Sequence, residues 1–105
     1  MYRILVCDDE KEIVSSLTAC LTAEGYQVVT ARTGWEVLNI LSKQHIHLAL
    51  LGTKLPGLDG LGLLDQLSIM KEKRPEVIVL SQFMSERIIA AAMEHGVYYY
   101  MTKPC

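Results

Sequence analysis

Apolar residues fall along the chain in two alternating kinds of block. Short, nearly continuous apolar runs occur at 2–7, 27–31, 46–51, 77–80 and 97–101. Their length and richness in Val, Ile, Leu and Tyr predict buried β-strands. Between them lie segments in which apolar residues recur every three or four positions. Ile13, Leu17, Cys20 and Leu21 predict one face of a helix over 10–24, with Gly25 placed to end it. Thr33, with Glu36 three residues on, reads as a capping box opening a helix to about Lys43, with Val37, Leu38 and Leu41 inward. A loop rich in breakers (Gly52, Pro56, Gly57, Asp59, Gly60) leads to a helix over 61–72 with Leu64 and Leu67 on one side, stopped by Pro75. Ser85 is placed to cap a fourth helix running to His95 and Gly96.

Five strands alternating with four helices predict a doubly wound parallel sheet with right-handed crossovers. Such a sheet needs helices on both faces. Four helices leave one face thinly covered, so the fold is expected to lack its last helix, as a single domain over 1–105 truncated at its C-terminus. With 105 residues, 50% of them hydrophobic, the chain is long enough for one core. Its longest apolar runs are far short of the ~20 residues a membrane helix needs, and no signal peptide is expected. A net charge of −2, without a basic face, argues against direct nucleic-acid binding. Cys7, Cys20 and Cys105 are odd in number and fit no metal spacing, so they are expected reduced, in a cytoplasmic protein.

In an open parallel sheet, ligands bind beyond the carboxyl ends of the strands. Asp8 and Asp9 follow the first strand, Gly52 ends the third, Ser81 follows the fourth, and Thr102-Lys103-Pro104 follow the fifth. Carboxylates suit a hard cation such as Mg²⁺, while a hydroxyl and an ammonium suit a phosphoryl group. Each residue alone has a plainer reading: an Asp pair can cap a helix, a serine can close a turn, and a lysine can be solvated. Their convergence on one sheet edge favours phosphoryl chemistry. Trp35 is expected as partly buried packing, and His45 and His47 as surface or edge residues rather than ligands.

The runs Ile4-Leu5-Val6-Cys7-Asp8-Asp9-Glu10, Leu50 to Gly60, Val77-Ile78-Val79-Leu80-Ser81 and Tyr100-Met101-Thr102-Lys103-Pro104 resemble the receiver domain of bacterial two-component response regulators. The resemblance covers essentially the whole chain. It implies a flavodoxin-like fold with strand order 2-1-3-4-5. It implies Mg²⁺ on Asp8, Asp9 and the backbone carbonyl of Lys54, phosphoryl contacts from Ser81 and Lys103, and a switch aromatic at Tyr100. It implies a sensor histidine kinase as partner and an output domain, often DNA-binding, that is absent from this sequence. The phosphoacceptor position of the family, an aspartate, is Gly52 here. Aspartyl phosphorylation is therefore expected to be disabled and Mg²⁺ binding to be weak or absent. Two alternatives stand beside this reading: a pseudo-receiver that docks partners without phosphate, and a small phosphatase or phosphotransferase using Asp8 or Asp9 as nucleophile, which is disfavoured, so no enzyme activity is expected. The fifth strand at the sheet edge, with Tyr98 and Tyr99, predicts a homodimer through the fourth helix and fifth strand.

Overall fold

The computed structural model describes residues 2–55, 57–58, 60–70, 74–81, 90, 94 and 99–102. Its elements in chain order are β1 (Arg3–Cys7), α1 (Lys11–Ala23), β2 (Gln27–Ala31), α2 (Gly34–Lys43), β3 (Leu48–Gly52), α3 (Gly60–Leu67), β4 (Glu76–Ser81) and β5 (Tyr99–Thr102). The strands form one parallel sheet in the order β2-β1-β3-β4-β5. β1, the first strand made, lies inside the sheet, and the chain reverses direction across it. The carboxyl ends of β1 and β3 therefore sit side by side at the switch point.

Side chains alternate across the sheet, so each strand feeds two cores. Leu5, Cys7, Ala49, Leu51, Val77 and Val79 face one side, where Val37 and Leu41 of α2 and Leu63, Leu64 and Leu67 of α3 close over them. Ile4, Val6, Leu50 and Leu80 face the other side, against Ile13, Val14, Leu17 and Leu21 of α1. No α1 residue is fully buried, whereas α2 buries Gly34, Val37 and Leu41. The strand residues beneath α1, Ile4, Val6, Leu50 and Leu80, are nonetheless buried. Among the described residues, no helix is long and apolar enough to cross a membrane.

Several local expectations are corrected. Val14 rather than Cys20 completes the inner seam of α1, and Cys20 is exposed. β3 begins at Leu48, not at residue 46. Arg3 N–H, which would extend the β1 ladder, donates instead to Nδ1 of the His47 imidazole at 2.9 Å, and the Arg3 guanidinium donates to the His45 carbonyl at 3.2 Å. The His47 ring stacks on Tyr2. α3 ends at Leu67, short of the expected 72, because residues 68 and 69 turn. The expected fourth helix over 85–95 falls almost wholly outside the described residues, as do Tyr98, Lys103, Pro104 and Cys105.

The Thr33 half of the capping box at α2 forms as read, while its reciprocal half is displaced by one residue. Glu36 N–H donates to Thr33 Oγ1 at 3.0 Å, and the Glu36 carboxylate accepts from Arg32 N–H at 3.3 Å. Thr33→Ala should cost about 1 kcal/mol in a denaturant unfolding curve, the usual worth of an N-cap. An unchanged midpoint would mean that water caps this helix equally well.

Candidate functional site

The site is built where β1 and β3 end. β1 delivers Asp8 into the crevice, where the residue is only 5% exposed and its Oδ2 is buried. Its Oδ1 accepts the Glu10 backbone N–H at 2.9 Å, a turn that carries the chain into α1 and leaves Asp9 and Glu10 on the surface. One carboxylate oxygen from each of Asp8, Asp9 and Glu10 lies within 4.8 Å of the others. Glu10 is therefore a member that the sequence reading passed over, though it stands next in the acidic run.

β3 brings Gly52 against Asp8. A Cβ at position 52 would stand 2.7 Å from Asp8 Oδ2 and 3.1 Å from Asp8 Cγ. The Asp8 carboxyl group thus occupies the space into which a side chain at 52 would start. Two residues on, Lys54 is exposed in the loop that leaves Gly52. Ser81 ends β4, and Gly52 pairs in register with Leu80 just before it, so Ser81 belongs to the same sheet edge. Tyr100 lies on β5 opposite Val79, one step back from that edge. The structure brings Asp8, Asp9 and Gly52 together and places Lys54 and Ser81 at the same rim. Lys103 lies outside the described residues.

The donor chemistry suits a hard divalent cation: carboxylates of Asp8 and Asp9, a third at Glu10, and oxygen ligands alone. These residues therefore fit Mg²⁺, although position 52 supplies no ligand atom.

The β2–α2 turn forms another wall. The Cys7 thiol, next to Asp8 in the chain, donates weakly to the Thr33 carbonyl at 3.7 Å. Burial, with added repulsion from the charges of Asp8 and Glu36, pushes this thiol up to about 12. It stays a neutral thiol at physiological pH and so is a poor nucleophile. A maleimide reagent at pH 8 should label Cys20 in the native protein and reach Cys7 only on unfolding, as read by peptide mapping. Equal labelling of both under native conditions would contradict the packing of β1. Beyond this turn, Trp35 is 59% exposed rather than buried, and its indole lies over Gly57 of the β3–α3 loop.

The sequence was compared with known proteins. It matches the response regulator receiver domain over residues 4–105. It is 33% identical over 102 residues to the transcriptional regulatory protein GlrR of Escherichia coli K12, covering 97% of this chain but 23% of that protein's length. It is 31% identical over 102 residues to sporulation initiation phosphotransferase F of Bacillus subtilis, covering 97% of this chain and 82% of that protein. In structure it resembles a CheY-like receiver domain protein of Methanospirillum hungatei, with a TM-score of 0.92 and 30% identity over 100% of this chain and 83% of that one. Chemotaxis protein CheY4 of Vibrio cholerae shares the fold at a TM-score of 0.92 and 21% identity, covering 100% of this chain and 88% of that one. With the strand order, the acidic pair at the end of β1 and a match running almost the whole length, the chain belongs to the response regulator receiver domain family.

Proposed function

We propose that this chain is a phosphorelay receiver whose aspartyl phosphorylation step is disabled at Gly52. The observation that supports this is the contact of Gly52 with Asp8 at the switch point of the sheet. An acyl phosphate needs a carboxylate nucleophile, and position 52 carries none. The neighbouring Asp8 oxygen is buried rather than presented to a phosphodonor.

The remaining machinery keeps receiver roles. Asp8 and Asp9, with the Lys54 backbone carbonyl, hold Mg²⁺ weakly, because hard-cation affinity follows the number of charged ligands. Mg²⁺, when bound, supplies positive charge toward phosphoryl oxygens. Ser81 and Lys103 are the phosphoryl contacts, and Tyr100 is the switch aromatic. The partner is a sensor histidine kinase, and the chain works in the cytoplasm. The output domain belongs to a longer protein: the chain spans about a quarter of the length of GlrR, whose name describes a transcriptional regulator. Homodimerisation through the expected fourth helix and β5 is part of the same proposal, and the domain itself turns over no substrate.

The Asp8 carboxyl group already standing in the space beside Gly52 favours one second reading, a pseudo-receiver that binds its partner without phosphate. Incubation with a small acyl phosphate donor and Mg²⁺, read by intact mass, tests the disabled step. No added phosphoryl group is expected. Uptake of one by the unaltered chain would overturn the proposal.

A further inference from the structure

The β3–α3 loop is held from outside the crevice at Gly57 and Leu58. Gly57 has a left-handed backbone, with φ at +76°. A Cβ there would stand 3.0 Å from Trp35 Cδ1 and 3.3 Å from Trp35 Nε1, so the indole edge rests directly on the Gly57 backbone. Gly34, one residue before Trp35, is buried, and a Cβ on it would stand 2.9 Å from Leu58 Cβ and closer still to the Leu58 carbonyl oxygen. Two glycines facing each other's segments thus let the start of α2 and the loop pack backbone to backbone. α2 is itself fixed at its start by the Thr33 cap and by the Cys7 thiol on the Thr33 carbonyl. The contacts run from Asp8 through Cys7, Thr33, Gly34 and Trp35 to Gly57, and so back to the loop that carries Lys54.

Trp35 is largely exposed and takes no part in the buried core. What it covers is the loop. Leu55 enters the core and Leu58 packs against it, while between them Gly57 has no side chain and Lys54 ahead of them is exposed, so at Gly57 the described contact is the indole.

We propose that Trp35 is a positioning residue: it clamps the β3–α3 loop onto α2 and so fixes where the Lys54 backbone carbonyl stands relative to Asp8 and Asp9. The inference rests on the cation reading given above. Groups outside the ligand shell that orient ligands commonly change metal affinity by 10–100-fold. Trp35 acts by packing rather than by a hydrogen bond to a ligand, so the lower end of that range applies.

The experiment titrates the protein with Mn²⁺, following the free ion by electron paramagnetic resonance, and measures amide exchange over 53–58. Trp35→Ala should weaken Mn²⁺ binding about tenfold and speed exchange in the loop about as much. Its unfolding midpoint should hardly move, since the side chain is mostly exposed. Trp35→Phe keeps a flat ring over Gly57 and should stay within about twofold of wild type. Gly57→Ala drives a methyl group into the indole at a left-handed φ and should weaken binding as Trp35→Ala does. If the wild-type protein binds Mn²⁺ and both Trp35→Ala and Gly57→Ala bind it equally well, the positioning role is overturned while the cation reading stands. If the wild-type protein binds no Mn²⁺ at all, the cation reading falls and takes the role toward Lys54 with it.

Discussion

Gly52→Asp should fold poorly without a divalent cation and recover with one. A Cβ at 52 stands 2.7 Å from Asp8 Oδ2, too close for both groups to keep their places. The obstacle is the far end of a side chain, so Asp8 can swing away, at the expense of its inward packing and of its hydrogen bond from Glu10. Displacing a packed group of this kind costs on the order of 1–3 kcal/mol. The new carboxylate adds like-charge repulsion with Asp8, whose neighbours Asp9 and Glu10 are also acidic. Mg²⁺ reverses the sign, because four carboxylates round one cation are attractive where four alone repel. At a free concentration 100 times Kd, binding contributes about 2.7 kcal/mol to the folded state, enough to offset the displacement. Urea unfolding with and without Mg²⁺ should show a large cation-dependent shift in the variant and a small one in the wild-type protein. Equal shifts in both would mean that position 52 does not face the cation.

Gly34→Ala should be the most damaging small substitution away from the core. The added methyl group meets the Leu58 backbone, which cannot rotate aside as a side chain can. The loop must lift off α2 or the helix must shift, at a cost of about 3 kcal/mol. Indole emission from Trp35, the single tryptophan, should move as Gly57 leaves it. A variant with wild-type stability and wild-type emission would show that the loop does not sit on α2 as described.

The fold could be read far into the sequence because its signals are local and repeated. Strands of four to six apolar residues, separated by helical spacing, leave few topologies once crossovers must be right-handed. The Thr33 capping box and the acid pair after β1 were legible for the same reason: each is a short pattern with its own physics. What escaped depends on distant partners. Trp35 reads as partly buried packing, yet it is largely exposed and covers a glycine more than twenty residues away. The late start of β3 accompanies an imidazole taking the Arg3 N–H, and no strand propensity announces that. Cys20 sits one helical step from the seam that Val14 fills, a difference set by the way α1 lies across β1 and β2. The inward placement of Asp8 follows from the missing side chain at 52, since only a glycine leaves that space open.

The most direct test of the account is phosphoryl uptake by Gly52→Asp, in Mg²⁺ with a small acyl phosphate donor and read by intact mass. The account holds that this chain is a receiver lacking only its acceptor side chain, so the variant should gain one phosphoryl group per chain. A folded, Mg²⁺-binding Gly52→Asp protein that takes up none would contradict it.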